Sequence, residues 1–261
     1  VKLVYDLGGC VSWGPGNTII GVSVSSMTDE QLRTLQDLPQ LAGLDISSPF
    51  GVMGFSRLTD SGLKEVKQLK HLTRLKLSAT NVTDEGLKEL KELKQLARLD
   101  LGRTNITDRG LEQLKELSQL TFLDLHMTKV TDRGLKDLKS FDRLARLNLG
   151  LTMVTDAGLK ELRVLKQLAN LDLNCCYSVT DVGLSELSEL RELRKLNLNS
   201  CTKVTDSGLK VLANLKHLKE LSLWNTQVTS AGEIYLTNAL PKCHIFSERR
   251  PPLIDYVTPF E

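Results

Sequence analysis

Four histidines, five cysteines and a pair of regularly spaced aspartates are the side chains of this chain with the most chemical reach. None of His71, His126, His217 and His244 sits in a metal-binding or nucleophile motif, and His71 and His217 occupy matching polar slots before a leucine. Cys175 and Cys176 are adjacent, and Cys201 follows Cys176 by 25 residues. A structural zinc site takes four ligands, and no further pair accompanies these thiols, so packing in a core ladder is expected of Cys176 and Cys201. With Cys10 and Cys243 the cysteine count is odd in a long chain, which does not read as a disulfide framework. Asp100 and Asp124, 24 residues apart, could exchange protons or hold calcium only inside a closed pocket. There is no phosphate loop and no glycine-rich nucleotide fingerprint. The expectation is a protein that is not an enzyme and uses no cofactor and no metal.

What positions these residues is a repeat. A hydrophobic residue followed by Thr-Asp recurs at Thr28, Thr59, Thr83, Thr107, Thr131, Thr155, Thr180 and Thr205, with Thr229-Ser230 as a ninth copy. The spacings are 31, 24, 24, 24, 24, 25, 25 and 24 residues. In the unit 72–95, Leu75 and Leu77 lie two apart and share one face of a short strand. Leu87, Leu90 and Leu93 lie three apart and form one stripe of a helix. Thr83 suits the helix N-cap, Asp84 suits the positive end of the helix dipole, and Gly86 removes bulk where helix and strand layers approach. One such unit cannot close a core, so it must stack on its neighbours.

Apolar residues make up 41% of the chain and charged residues 25%, a balance that favours folding. Aromatics are 5%, so the core must be aliphatic. With 34 basic against 32 acidic residues the net charge is +2, which argues against nucleic acid as a partner. No apolar run reaches the roughly 18 residues of a membrane helix, so no membrane insertion is expected. The cysteine usage favours a reducing, cytoplasmic compartment. Export stays open, because the chain begins at Val1 and a signal peptide could have been removed.

The repeat L-x-x-L-x-L-x-x-T/C-x-V-T-D-x-G-L resembles that of leucine-rich-repeat proteins of the cysteine-containing, ribonuclease-inhibitor-like kind. It is similar to the repeat half of F-box leucine-rich-repeat proteins, and its T-x-V-T-D-x-G-L-K spelling resembles bacterial repeat proteins most. No F-box is present. The usual cysteine is mostly threonine (Thr80, Thr104, Thr128, Thr152 and Thr226), and only Cys176 and Cys201 keep it. The resemblance implies an α/β fold, a right-handed solenoid or horseshoe with parallel strands on the concave face and helices on the convex face. It implies a binding role, and the chain is expected to be a monomer.

The domains follow. Residues 1–19, with Gly8, Gly9, Gly14, Pro15 and Gly16, read as an N-terminal cap, and 20–246 as about nine repeats. The spacing of 31 places a seven-residue insertion within 47–57, which carries Phe50, Val52, Met53 and Phe55. Its apolar side chains either cover a gap in the core or contact a partner. Residues 247–261, with Pro251, Pro252 and Pro259, read as an extended tail that is either disordered or a docking segment.

Alternation along each strand lists the residues that face out. The first column runs Arg74, Arg98, Phe122, Arg146, Asn170, Lys195 and Glu220, and the second Lys76, Asp100, Asp124, Asn148, Asp172, Asn197 and Ser222. The third ends each strand at Ser78, Gly102, His126, Gly150, Asn174, Asn199 and Trp224. Phe122, Met127 and Leu151 are expected to gather with His126, while Trp224 stands nearer the C-terminal end. Exposed aromatics are the anchors that protein interfaces use. The expected function is therefore protein–protein interaction through the concave face and the insertion loop. The candidate contacts are Phe122, His126, Met127, Leu151, Arg98, Arg146, Asp124, Trp224, Phe50, Met53 and Phe55. The alternative is an ectodomain that recognises a glycan or cell-envelope component. The Lys- and Glu-rich helix side is expected to be a solvated face without function.

Overall fold

In the computed structural model the described residues are 2–24, 27–48 and 57–248. They divide into two compact units, one ending at Asp124 and the next beginning at Leu125. Phe50, Met53 and Phe55 lie outside the described residues, as does most of the tail.

In the first unit a short helix α1 (Lys2–Asp6) precedes β1 (Cys10–Trp13), which pairs antiparallel with β2 (Ile19–Ser23). From β2 onward the strands are parallel and in register: β3 (Gly43–Asp45), β4 (Arg74–Lys76), β5 (Arg98–Asp100) and β6 (Phe122–Asp124). Leu44 pairs with Leu75, Leu75 with Leu99, and Leu99 with Leu123, so equivalent leucines stack coil on coil. Helices α2 (Asp60–Val66), α3 (Asp84–Leu87) and α4 (Asp108–Gln113) follow the strands.

The second unit repeats the scheme with β7 (Arg146–Asn148), β8 (Asn170–Asp172), β9 (Lys195–Asn197), β10 (Glu220–Ser222) and β11 (His244–Phe246). These are again parallel and in register, through Leu147, Leu171, Leu196, Leu221 and Ile245. Its helices are α5 (Asp132–Leu135), α6 (Asp156–Glu161), α7 (Asp181–Glu186), α8 (Asp206–Leu212) and α9 (Ser230–Ala239). Among the described residues no helix is long and apolar enough to cross a membrane.

The repeat leucines are the core. Leu72, Leu77, Leu87, Leu90, Leu93 and Leu96 are each fully buried. The helical stripe differs from a plain α-helix, because α3 ends at Leu87 and Lys88–Glu92 continue as a 3₁₀ turn. A 3₁₀-helix has three residues per turn, which keeps Leu87, Leu90 and Leu93 on the inner side of this turn; in α8 the same spacing lies on an α-helix, with Leu209 and Leu212 equally buried.

The Thr-Asp pair does more than cap one helix. Thr59, Thr83, Thr107, Thr131, Thr155, Thr180 and Thr205 are N-caps whose hydroxyl accepts an amide two residues on, as Thr83 does from Glu85 at 3.3 Å, while the N-cap Thr229 accepts from Gly232. The aspartate reaches forward to the next coil instead of serving only its own helix dipole. Asp60 Oδ1 accepts the Thr83 amide at 2.7 Å, and its Oδ2 accepts the Thr83 hydroxyl at 2.7 Å. Asp84 holds Thr107 in the same way. In the second unit Asp132, Asp156, Asp181 and Asp206 hold Thr155, Thr180, Thr205 and Thr229. Thr28 heads the series and draws on its own turn: its amide donates to Gln31 Oε1 at 2.9 Å, and its hydroxyl accepts from the Gln31 amide at 3.4 Å, a capping box. Thr229 ends it, because the next residue is Ser230 and not aspartate.

The repeat glycine serves the same joint. A Cβ on Gly208 would meet Asp181 Oδ1 at 2.5 Å. Gly86, Gly110, Gly158, Gly183 and Gly232 crowd the preceding coil's aspartate in the same way. The bulk that Gly86 avoids is therefore mainly the Asp60 carboxylate, not a strand layer.

Candidate functional site

The outward side of each strand is built by the residues that alternate with the leucines. In the second column the side chains shape the backbone. Asp100 Oδ1 accepts the Gly102 amide at 2.9 Å, Asn148 Oδ1 the Gly150 amide at 2.9 Å, and Asp172 Oδ1 the Asn174 amide at 2.8 Å. Such Asx turns bend the chain just past the strand. One residue beyond each turn the backbone enters the left-handed region, at Arg103 (φ 56), Leu151 (φ 57) and Cys175 (φ 58). Ala79, Met127, Ser200 and Asn225 hold the equivalent position in their coils. The conformation recurs at this position in every coil from Ala79 to Asn225, and no glycine relieves it.

In the first unit Arg98 and Phe122 are register partners on β5 and β6. The Arg98 guanidinium carbon lies 5.1 Å from the centre of the Phe122 ring, within cation–π range. Phe122 is half-buried, not fully displayed. The two belong to a groove of about 260 Å³ that also takes in Cys10, Asp45, Arg74, Lys76 and Asp100. Lys76 Nζ lies 3.5 Å from Asp45 Oδ2. Asp124 lies half-buried on β6.

The second unit carries the other candidates. Met127 is 41% exposed and Leu151 43% exposed, both in left-handed backbone. His126 is half-buried and Arg146 exposed. Met153 and Tyr177 add exposed apolar surface on the same loop edge as Leu151, while Thr202, Asn225 and Gln227 take that edge in later coils. Trp224 is half-buried, and its amide donates to Asn199 Oδ1 at 2.8 Å. It stands three coils past Leu151 along the chain of amide bonds Leu151 to Asn174, Cys175 to Asn199 and Ser200 to Trp224. Of the expected group of Phe122, His126, Met127 and Leu151, Phe122 lies in the first unit against Arg98, and the other three lie in the second, with Met127 and Leu151 at the equivalent position of successive coils. Sequence reasoning passed over Met153, Tyr177 and Cys10. Met153 and Tyr177 each follow the Thr or Cys that closes the strand segment, and Cys10 lies on the antiparallel strand β1, where the repeat offers no guide.

The cysteines are set for packing. The Cys176 thiol donates to the Leu149 carbonyl and the Cys201 thiol to the Leu173 carbonyl, each at 3.2 Å and each one coil back. Threonines at the same place serve their own coil, as Thr152 does by donating to the Leu149 carbonyl at 2.6 Å. Burial raises the Cys176 pKa to about 11 and drives that of Cys201 higher, so neither is a nucleophile near neutrality. Among the described residues no three His, Cys, Asp or Glu side chains gather as metal ligands do. On the helix side ion pairs link successive coils, Lys67 to Glu89 at 2.7 Å and Lys166 to Glu189 at 3.4 Å. Exposed pairs of this kind are worth about 0–1 kcal/mol each.

Known proteins place this architecture. A family model described as Leucine Rich repeat matches residues 68–91, 96–115 and 190–213. Among solved structures, internalin C2 of Listeria monocytogenes is 24% identical, with a TM-score of 0.54 over 87% of this chain and 80% of that one. Internalin F of the same organism is 18% identical, with a TM-score of 0.54 over 88% and 81%. A leucine-rich-repeat protein of Leptospira interrogans is 21% identical, with a TM-score of 0.57 over 85% of this chain and 58% of that one. No curated protein matches the sequence. The fold is the leucine-rich-repeat solenoid.

Proposed function

We propose that the protein is a non-catalytic recognition module that binds a protein partner through its strand side, the loop edge beside it and the insertion at 47–57. One observation carries this reading: Met127 and Leu151 are large, apolar, about two-fifths exposed, and held at φ 54 and 57. A non-glycine residue in that region costs roughly 1–2 kcal/mol. Burial does not offset the cost, since both side chains reach solvent. The fold makes no demand for them, because the same position elsewhere holds Ala79, Ser200 and Asn225. Covering the exposed two-fifths of each with a partner would return about 1 kcal/mol, since full burial of such a side chain is worth roughly 1.5–3 kcal/mol. Solvent-facing apolar residues kept at a strained position fit a docking surface.

Capture of the partner from the native source with wild type, a Met127→Asn/Leu151→Asn variant and a Phe122→Ala variant tests this. The asparagine pair is expected to keep the far-ultraviolet circular dichroism of wild type and to lose capture. Equal capture by the folded pair would overturn the proposal.

A further inference from the structure

Two successive coils of the second unit depart from the repeat in the loop that joins strand to helix. The residue before each Val-Thr step runs Lys129, Met153, Ser178 and Lys203, and the residue after each joint aspartate runs Arg133, Ala157, Val182 and Ser207. The coil of Cys175 inserts Tyr177 as its extra residue. These loops stack in parallel, with bridges from Thr155 to Ser178 and from Thr180 to Lys203. Met153 is 62% exposed, Tyr177 54% and Val182 68%, in the same two coils as Leu151. Lysine, arginine or serine holds the same places in the flanking coils, so the fold does not call for apolar side chains here. A contiguous exposed apolar block of this kind marks an interaction site.

The block is bounded by cations on both sides. Lys129 and Arg133 lie one coil before it and Lys203 one coil after, all exposed and paired with no acid among the described residues. The aspartates of these loops are turned along the array. Asp132, Asp156, Asp181 and Asp206 each accept the amide and the hydroxyl of a threonine on the next coil. The charge offered outward is therefore positive, at the two ends of an apolar strip.

The spacing selects the shape of the occupant. Three coil steps of about 4.8 Å separate Lys129 from Lys203, about 14 Å in all. An α-helix has a pitch of about 5.4 Å, so a helix laid along the array meets roughly one coil per turn, and side chains about eleven residues apart return to one face after about 16 Å. An extended strand repeats a face only every 6.6 Å or so and falls out of step with the coils.

We infer that this loop edge receives an amphipathic helix of a partner protein. Its apolar face packs on Leu151, Met153, Tyr177 and Val182, and an acidic residue at each end of that face meets Lys129 and Arg133 or Lys203. The inference rests on the recognition role proposed above and names the chemistry of the partner.

The probe is a blocked, fluorescein-labelled helical peptide with two glutamates about eleven residues apart, leucines between them on the same face, and alanine and glutamine elsewhere. Its binding to the full chain is followed by fluorescence anisotropy. Met153→Ser/Val182→Ser copies the serines of neighbouring coils, so circular dichroism should be unchanged. It is expected to weaken binding about tenfold, the loss of roughly half a side chain's burial at two positions. Replacing both peptide glutamates by glutamine, or making Lys129→Gln/Lys203→Gln, should weaken binding about two- to fivefold, as exposed ion pairs do, and the difference should shrink in high salt. The peptide substitutions probe the same contacts without touching the fold of the protein. Controls are a scrambled peptide without an apolar face, a peptide with lysine for glutamate, and vesicles of phosphatidylserine and phosphatidylcholine sedimented with the chain. Absence of binding, equal binding of the scrambled, glutamine or lysine peptide, a folded variant that binds as wild type does, or vesicle binding that depends on Met153 and Val182 would each overturn the inference. Should the peptide fail while partner capture still requires Met127 and Leu151, the recognition role survives and the helical, acidic partner does not.

Discussion

Gly208→Ala should destabilise the protein, and should do so only because Asp181 stands in the way. Gly208 lies inside α8, where alanine is normally better than glycine by about 1 kcal/mol. Its new Cβ would sit 2.5 Å from Asp181 Oδ1. The carboxylate must retreat by about 0.9 Å to restore an ordinary 3.4 Å contact. That lengthens a 2.9 Å bond from the Thr205 amide and disturbs the 2.6 Å bond from the Thr205 hydroxyl. Bonds to a charged acceptor are worth roughly 1.5–3 kcal/mol each, and partial exposure puts these at the lower end. Asp181→Ala alone should then cost about 2–3 kcal/mol, and Gly208→Ala about 1–2 kcal/mol after the helix-propensity gain. With the carboxylate gone, only the flexible end of Leu184 crowds the site, at 2.7 Å. In the Asp181→Ala background, Gly208→Ala should therefore become neutral or stabilising by up to about 1 kcal/mol. Urea denaturation of the four proteins, read by circular dichroism and by amide exchange at Thr205, measures this coupling. The exchange data guard against loss of two-state behaviour, which repeat arrays can show. Additive effects, or a Gly208→Ala that stabilises wild type, would refute the joint as described.

Three further outcomes are expected. Leu151→Gly should leave stability unchanged or raise it by up to about 1 kcal/mol, as relief of left-handed strain offsets the greater freedom of the unfolded chain; a loss above 2 kcal/mol in thermal melts would mean that Leu151 packs as core. Bonds from the Thr229 amide and hydroxyl hold the Asp206 pKa below its ordinary value, so its stabilising contribution is present above the unfolded carboxylate pKa and is lost as pH falls through the lower folded value; the Thr229 amide resonance should report that acid step, and a midpoint at or above the unfolded value contradicts it. In the native protein at pH 8, iodoacetamide should label exposed Cys10 and spare Cys176, whose pKa is raised to about 11, with peptide mass spectrometry as readout; rapid labelling of Cys176 would show its burial to be wrong.

The coil scheme was readable because leucine spacing is a direct record of which side faces in. The Asp–Thr joint was written in plain letters yet not legible, since its two ends lie on different coils and a dipole argument already gave Asp84 a role. That argument would accept glutamate as readily, so strict use of aspartate was the overlooked clue to a short, two-pronged reach. The left-handed positions were hidden because Ala79, Arg103, Met127 and Leu151 have none of the usual turn chemistry. At the candidate site, strand alternation listed Arg74, Lys76, Arg98 and Phe122 correctly as outward, but it could not show Phe122 half-buried beneath Arg98. Nor could it bring Cys10 to that groove, because β1 belongs to no repeat.

The aspartate that leaves each coil and the threonine that receives it form a plug and a socket of constant shape. Gln31 closes the socket of Thr28, and Ser230 supplies no plug. Any interior coil therefore presents the same fittings at both of its boundaries. Loss or duplication of one period, such as the 24 residues that separate Thr131 from Thr155, would join matching parts without any new side chain. Length is thus a freely variable dimension of this architecture, open to change by a single in-frame recombination, whereas the outward positions of each coil can drift independently toward a new partner.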